Sequence, residues 1–453
     1  MASEKQLLLI NQHLRIMRLI IAGIFLLFLH ASQAWSQPKL LTFEDAITTG
    51  LSNNFSIRII KNDTEIAKNN NSIGNAGFLP KLGVNGSARE SVLTTETTSS
   101  SGEVSKNDKA GTSLLSLGAS LDWTLFDGFK MFIQKDKLGL LQKQGETSAR
   151  VTIENVLSEI IVTYYSIIQN KNRLKVLQDA IDFSNRRREL IMRKYQIGSA
   201  SELGYLQSVV DLNADSAAFL RQQVALKNAK ADLNLLMVAD AASEYEVSDT
   251  ITFLSLPDYQ TLVSSLGISN ARIELAGQNS AIAEMNYRLT HSPKYPQIDF
   301  FSDYNFNRSK YDFGTTSRNK NYGSAVGLSI SYSLFDGFSR RRNSANALIQ
   351  QENSDIQLQQ VTKEIESQVF QLYNDYLNNL KLVKFEAENV KISRRNTFIA
   401  FEKYRLGELS DIDLRQIQIK QLEAENSLLL AQFQAKEIET ELLRISGKIL
   451  SNK

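Results

Sequence analysis

The sequence predicts an α+β membrane protein built from two copies of one unit, each holding a β-hairpin and long antiparallel helices. Three observations predict this fold class. An apolar N-terminal segment is typical of exported proteins. The word LFDGF occurs at residues 125–129 and again at residues 334–338. Before each copy, apolar and polar residues alternate, and after each copy the apolar residues recur with helical spacing.

The first 36 residues have the pattern of a secretory signal peptide. Two arginines precede the apolar run LIIAGIFLLFL, and small residues follow it. We expect cleavage after Ala34 or Ser36, and a natural start at Met1 or Met17. A single-pass anchor is the alternative, but the run is shorter than the ~20 apolar residues that span a bilayer.

Composition excludes several classes of function. The chain is 42% hydrophobic and 22% charged, as expected for a folded protein. The leader carries three of the 51 basic and one of the 49 acidic residues, so the mature chain balances 48 against 48. This neutrality gives no electrostatic reason to expect nucleic acid as a partner. Without cysteine the chain has no disulfide and no thiol for a lipid anchor.

Residues that commonly act in catalysis are also scarce. Beyond the leader the chain keeps one histidine, His291, and no cysteine. Clusters of metal-ligating residues and histidine-based catalysis therefore have almost no residues to draw on. We expect no enzymatic activity, no metal site and no cofactor.

Further word pairs support an internal duplication. KYQIG at residues 194–198 recurs as KYRLG at 403–407, with the same spacing of 209 positions that separates the two LFDGF words. Nearer the start, Asn54 in LSNNFSI corresponds to Asn270 in GISNARI. Matching words in the same order indicate two similar halves.

The duplication divides the chain into four parts. These are a signal peptide at 1–36, a first repeat at 37–240, a linker at 241–258 and a second repeat at 259–453. Each repeat is expected to run as a short helix, a hairpin, a long helix and a return helix.

The hairpins are expected at about residues 80–128 and 296–337. Apolar residues alternate with Ser, Gly, Asp and Thr from Leu115 to Leu125, and again from Val326 to Leu334. This period of two predicts strands with one apolar and one polar face. Because a closed barrel needs at least ~8 strands, several chains must share one barrel. A soluble four-stranded sheet packed on helices is the alternative.

The long helices follow the hairpins. Residues 338–406 contain no glycine and no proline, and at 1.5 Å per residue they form a helix of about 100 Å. Return helices are expected at about residues 202–237 and 411–445. Shorter helices are expected at about 43–73 and 259–289, before the hairpins.

The order of these segments resembles the TolC-type outer-membrane efflux channels over essentially all of the mature chain. The segments are LTFEDAITTGLSNN, GFLPKLGV, WTLFDGF, KYQIGSASELGYLQ and YRLGELSDIDLRQIQIKQLEAENSLL. The resemblance implies a homotrimer in which a twelve-stranded outer-membrane β-barrel is continuous with a periplasmic α-helical tunnel. It also implies the outer membrane of a Gram-negative bacterium as the location.

The implied function is an exit duct of a tripartite efflux pump or type I secretion system. Such ducts conduct substrates passively and work with a periplasmic adaptor (membrane fusion) protein and an inner-membrane RND or ABC transporter. A periplasmic adaptor or structural coiled-coil protein is the alternative function. Nothing in the sequence specifies the cargo.

In this family the LFDGF words lie where a strand leaves the membrane and becomes a helix. Asp127 and Asp336 are suited to accept hydrogen bonds from the first free helix amides, and Gly128 and Gly337 allow the backbone to turn. Aromatic residues near these positions suit the membrane interface: Trp123, Phe126, Phe129, Tyr332, Phe335 and Phe338.

The turns after the long helices resemble the tips where the family's adaptor docks. The expected docking residues are Gly198, Ser199, Leu406, Gly407 and Glu408. A glycine in such a turn is also an ordinary helix cap.

The family's entrance is narrowed by aspartates six and nine positions after the second tip glycine. Here those positions hold Asp413 and Gln416, so only the first matches. Tyr404 matches the tyrosine of the family's interhelix lock. Gly204 and Leu409 stand where that lock needs an acidic residue and an arginine. The closed entrance must therefore be held by other residues.

Overall fold

The protein consists of a four-stranded sheet and a layer of long helices. The structure, a computed structural model, describes residues 39–248, 250–314 and 316–450. The expected signal peptide, its cleavage site and the alternative start positions lie outside the described residues.

The elements follow each other in the same order in both halves of the chain. The first half contains β1 (Lys39–Leu40), α1 (Phe43–Asn53), α2 (Phe55–Asn70), α3 (Ile73–Ala76), β2 (Lys81–Thr98), β3 (Val104–Phe126), α4 (Lys130–Gln196) and α5 (Glu202–Met237). The second contains β4 (Tyr245–Glu246), α6 (Tyr259–Ser269), α7 (Ala271–Leu289), β5 (Gln297–Tyr311), β6 (Arg318–Ser331), α8 (Ser339–Leu406) and α9 (Asp411–Ile445). A single 3₁₀ turn (Ser292–Lys294) precedes β5.

The two hairpins lie side by side in one antiparallel sheet with the order β2-β3-β5-β6. The register aligns the apolar residues of all four strands on one face. One row across the sheet is Val84, Ala119, Tyr304 and Ser324, and the next is Leu82, Leu121, Ser302 and Val326. The opposite face carries mainly Asn, Ser and Asp. The predicted alternation is therefore confirmed as two faces of different polarity.

The strand ends differ from the prediction. A bulge between Thr124 and Phe126 removes Leu125 from the alternation and places Phe126 opposite Ile298. One extra residue in a strand shifts all later side chains to the other face. The last strand ends at Ser331, so Tyr332 and the residues after it lie in the connection to α8.

The long helices match the prediction closely. α4 has 67 residues and α8 has 68, so each is about 100 Å long. The return helices α5 and α9 begin and end where the sequence predicts. α4 packs against α5 and α9, and α8 packs against α9.

The shorter helices are each broken in two, where the sequence predicts one. The break falls at Asn54 in the first half and at Asn270 in the second. Each side chain accepts hydrogen bonds from the first amides of the following helix, as an N-cap does. Each also donates its amide to the end of a return helix, Asn54 to the Leu236 carbonyl (3.1 Å) and Asn270 to the Ile445 carbonyl (2.6 Å).

These contacts explain how the long helices are covered. α2 begins where α5 ends, and α7 begins where α9 ends. α2 and α5 both pack on α4, while α7 and α9 both pack on α8. Two helices placed end to end therefore accompany each long helix.

Most buried apolar residues lie where the short helices meet the long ones. The largest cluster includes Ile160, Ile167 and Leu233, and it is joined by the parallel pair β1–β4, which the sequence analysis missed. By length and composition alone, α4 has a stretch that could cross a membrane, but half of that stretch is buried within the chain. Its apolar character is explained by this core.

Candidate functional site

The two tips are turns built on glycine. Gly198 follows α4 with φ of 75°, and Gly407 ends α8 with φ of 85°. In both turns an amide after the glycine returns to a lysine carbonyl, Ser199 to Lys194 (2.8 Å) and Glu408 to Lys403 (2.9 Å). This is the hydrogen-bond pattern of a helix C-terminus that closes in the left-handed conformation. A Cβ added at either glycine would meet open space.

Exposed apolar side chains surround these turns. Of the predicted docking residues, Leu406 is 68% exposed, and Ser199, Gly407 and Glu408 are exposed as well. The sequence analysis missed three further exposed residues near the turns: Ile197 (79%), Leu203 (75%) and Ile412 (78%). Apolar residues next to a tip glycine were the available signal, because a solvated turn has no need of them.

Behind the tips, a buried arginine joins three helices. Arg187 on α4 is 1% exposed and forms a two-point ion pair with Asp411 on α9, at 2.7 Å from Nε and 2.6 Å from Nη2. Its third nitrogen donates to Asp211 on α5 at 2.8 Å. Burial lowers the pKa of Arg187, but the hydrogen bonds to Asp411 and Asp211 outweigh this effect and raise it above its ordinary value.

A second arginine extends the contact. Arg415, one turn after Asp411 on α9, donates from both terminal nitrogens to Asp215 on α5, at 2.9 and 3.0 Å. Ser184 on α4 donates to the same carboxylate at 2.6 Å. We call Arg187, Asp211, Asp215, Asp411 and Arg415 the tip network. It connects α4, α5 and α9 through charge-assisted hydrogen bonds.

Sequence reasoning missed the tip network entirely. The i, i+4 spacings of Asp211 with Asp215 and of Asp411 with Arg415 place each pair on one helix face, which was the available signal. To predict which residues these charges pair with, one must know that α9 packs on α4. No local sequence pattern gives that information.

Tyr404, which precedes Gly407 by less than one helical turn, lies beside the tip network and close to Asp411. It is buried in a small core with Ile191 and Leu414, and Lys194 Nζ lies 4.3 Å from the centre of its ring. Lys194 also donates to the Tyr404 carbonyl at 2.7 Å, which joins the two tips. Burial and the nearby charge of Asp411 raise the pKa of Tyr404, so its hydroxyl stays neutral.

The two predicted entrance residues, Asp413 and Gln416, are both exposed on the first turns of α9. Asp413 also takes part in the helix start. Its amide donates to the Ser410 hydroxyl at 3.2 Å, and that hydroxyl donates back to the Asp413 carboxylate at 2.6 Å. This reciprocal arrangement is a variant of the capping box. One carboxylate oxygen remains free to face solvent.

At the other end of the long helices, the LFDGF words form the strand-to-helix junctions. The carboxylates of Asp127 and Asp336 accept hydrogen bonds from the Met131 amide (3.1 Å) and the Arg340 amide (2.9 Å), as the sequence predicts. The glycines have positive φ, and so do Phe129 (68°) and Phe338 (64°), which the sequence did not predict.

Aromatic rings cluster at these junctions. Phe126 and Phe129 meet edge to face at 5.2 Å, and Phe335 and Phe338 do so at 5.5 Å. Trp123 donates its ring nitrogen to the Phe78 carbonyl at 2.9 Å. In the single chain, four of these aromatic side chains are at least half exposed: Phe129, Tyr332, Phe335 and Phe338.

Within residues 39–248, 250–314 and 316–450, no group of three or more His, Cys, Asp or Glu is placed to hold a metal ion.

Comparison with known families decides what this architecture is. The outer membrane efflux protein family matches the chain twice, over residues 46–237 and over residues 258–448. The chain belongs to this family. It is therefore an outer-membrane efflux channel, and the family consists of channels rather than enzymes. The alternative of a periplasmic adaptor is not favoured.

Solved channel structures share the fold of this efflux protein. VceC from Vibrio cholerae is 16% identical with a TM-score of 0.73, covering 89% of this chain and 96% of that one. CmeC from Campylobacter jejuni is 15% identical with a TM-score of 0.73, covering 90% and 85%. The open state of MtrE from Neisseria gonorrhoeae is 15% identical with a TM-score of 0.69, covering 90% and 89%. No curated protein sequence matches the efflux protein.

Proposed function

We propose that three copies of the efflux protein form one channel, because a single copy cannot close a barrel. The observation that carries this proposal is that β2 and β6 are each paired on one side only. In hydrocarbon, unpaired backbone groups are strongly unfavourable. Pairing β6 of one copy with β2 of the next satisfies both edges, and three copies supply the twelve strands of a closed barrel.

The apolar face of the sheet supports contact with lipid. Leu82 is 78% exposed, Val84 is 86% exposed and Val326 is 69% exposed. A soluble sheet packed on helices would bury this face, and here the helices leave it open. Lipid around the barrel accounts for the exposure, while the polar face lines the water-filled duct.

The helices extend from the barrel into the periplasm as a tunnel, and their tips dock a periplasmic adaptor. The apolar surface for this contact is provided by four exposed side chains: Ile197, Leu203, Leu406 and Ile412. The two tip glycines let another backbone approach closely. The adaptor connects the duct to an inner-membrane RND or ABC transporter, which supplies the energy. The duct itself conducts substrates passively, and without cysteine it is not lipidated through a thiol.

The tip network holds the periplasmic entrance closed. Opening requires the pair α8 and α9 to move away from α4 and α5. The Arg187–Asp411 and Arg415–Asp215 ion pairs cross that boundary. Because the family's acidic residue and arginine are missing at Gly204 and Leu409, these pairs take the place of that lock. Adaptor contact at the tips is well placed to separate them.

Native mass spectrometry of the purified protein in mild detergent tests the assembly, and a trimer is expected. A soluble monomer would overturn the proposal. Labelling of single introduced cysteines tests which face of the sheet meets lipid and which meets water. The chain has no native cysteine that would interfere. Val326→Cys should react only with a bilayer-soluble maleimide. Its neighbour on the opposite face, Ala325→Cys, should react with a water-soluble one.

A further inference from the structure

Four cations cluster at the end of the sheet farthest from the helices. Arg308 lies directly opposite Lys320 on the neighbouring strand, and Lys310 lies directly opposite Arg318. All four residues are exposed. Like charges directly opposite each other destabilise a sheet. An anion bound between these two successive pairs would relieve their repulsion.

These cations continue the apolar face of the sheet. Residues two positions apart share a face, so Arg308 follows Phe306 on β5 and Lys320 precedes Tyr322 on β6. Phe306 and Tyr322 are themselves cross-strand partners. Lys320 Nζ lies 5.4 Å from the ring centre of Phe306 and 5.3 Å from that of Tyr322. The aromatic pair thus separates the apolar band from the cations.

Their distance from the helices corresponds to the thickness of a membrane. Ile298, near the helical end of β5, and Arg308 are ten residues apart on one face. At ~3.3 Å per residue and a strand tilt of ~40°, they differ in height by about 25 Å. The apolar band of outer-membrane barrels has the same height. The cations therefore lie at the headgroups of the outer leaflet.

Carboxylates balance this cluster only in part. Asp312 lies 3.9 Å from Lys310, with both side chains largely exposed. Glu90 is at the same level two strands away, and its carboxylate accepts a hydrogen bond from Ser113. Within the described residues, no carboxylate lies within ion-pair distance of Arg308, Arg318 or Lys320.

We propose that Arg308, Lys310, Arg318 and Lys320 bind the phosphates of a phosphorylated outer-leaflet glycolipid of the lipid A type. Guanidinium groups match phosphate oxygens in pairs, and the lysines add point charges. The lipid's acyl chains then lie against the apolar face below. This inference rests on the proposed trimeric barrel, in which the cluster occurs three times around the rim.

Native mass spectrometry of the detergent-purified trimer tests the proposal. It measures the binding of three lipids: diphosphoryl lipid A, dephosphorylated lipid A and phosphatidylethanolamine. The wild type should bind diphosphoryl lipid A at least tenfold more tightly than the other two lipids. Arg318→Gln with Lys320→Gln should weaken that binding at least tenfold. Lys81→Gln with Arg89→Gln, which removes two cations from the polar face, should leave it unchanged.

Three outcomes overturn the proposal. The first is equal binding of both lipid A forms by the wild type. The second is unchanged binding by the Arg318 and Lys320 variant. The third is loss of the trimer in that variant alone, which means that the cations pair with carboxylates of the next copy. If the wild type forms no trimer, the proposed function fails instead.

Discussion

Arg187 on α4 and Asp411 on α9 are 224 residues apart in sequence and form a two-point ion pair at 2.7 and 2.6 Å. The pair joins the first repeat to the second just behind the tips. Since Arg187 is almost fully buried, its charge depends on Asp411 and Asp211. Breaking a buried pair by removing one partner typically costs about 3–5 kcal/mol. If the tip network holds the entrance closed as proposed, single substitutions in this pair should open it.

The first prediction concerns the variant Arg187→Ala. It removes the guanidinium that binds both Asp411 and Asp211. Asp211 then keeps only weaker contacts, with Arg415 Nε at 3.7 Å and with Gln207 at 3.2 Å. We expect the trimer to persist, because the barrel and the main cores are untouched, while conductance in planar bilayers rises severalfold as the entrance loosens. Single-channel recording measures the change.

Arg186→Ala is the matched control. Arg186 is exposed and donates only within its own helix, to the Asp182 carbonyl at 3.3 Å. Its variant should conduct like the wild type. If Arg187→Ala also conducts like the wild type, the tip network does not hold the entrance. A double-mutant cycle with Asp411→Ala then shows whether the ion pair contributes to stability alone.

The sequence was sufficient to predict most elements, since their signals are local. The period of two, the glycine-free run of α8 and the repeated words fixed strands, long helices and turns. The sequence-based prediction failed at Asn54 and Asn270. At each of these positions an asparagine inside an apolar helical pattern ends one helix and begins the next. Their amides bond the carbonyls of Leu236 and Ile445, which lie far away in sequence. Only tertiary packing shows why the break occurs there.

The candidate site was harder to predict than the fold. Gly198, Gly407, Asp127 and Asp336 were identifiable because a turn or a helix start demands those residue types. The tip network was not, because charged residues on a long helix usually face solvent. The bulge before Phe126 was also missed, since it depends on the pairing of β3 with β5 rather than on either strand alone.

The second prediction compares the two junction glycines. Both have positive φ, 69° at Gly128 and 65° at Gly337. A Cβ at Gly128 would lie 2.2 Å from the Ser292 carbonyl oxygen, whereas a Cβ at Gly337 meets nothing within 4 Å. Gly128→Ala should therefore lower the thermal stability of the trimer clearly more than Gly337→Ala, whose cost is about 1 kcal/mol from the backbone alone. Equal melting temperatures would show that the backbone at Gly128 shifts freely.

The third prediction concerns ion selectivity. Three copies of exposed Asp413 around one axis would concentrate negative potential in a narrow mouth. Asp413→Asn should weaken the preference for cations in planar bilayers. Because Asp413 also bonds Ser410, Ser410→Ala serves as the control that perturbs the helix start without removing the charge. Identical selectivity in the wild type and Asp413→Asn would make Asp413 an ordinary solvated charge.

The fourth prediction separates adaptor docking from channel formation. Gly407 has φ of 85° and open space around it, so a side chain costs roughly 1 kcal/mol of backbone strain. Gly407→Glu, alone or with Gly198→Glu, should leave a normal amount of trimer in the outer membrane. The new charge stands next to exposed Leu406, at the centre of the proposed docking surface. Burying it unpaired costs several kcal/mol, which is enough to remove most of a micromolar affinity.

Adaptor crosslinking in cells, together with efflux or secretion assays, measures this fourth effect, and both should be lost in Gly407→Glu. Gly407→Asn is the matched control, since asparagine tolerates the left-handed conformation and adds no charge. Its trimer should retain most of its adaptor crosslinking. If Gly407→Glu forms the trimer and still captures the adaptor with unchanged affinity, Gly407 and Gly198 act only as helix caps. The docking surface then lies elsewhere along the helices, and the exposure of Ile197, Leu203 and Ile412 needs another explanation.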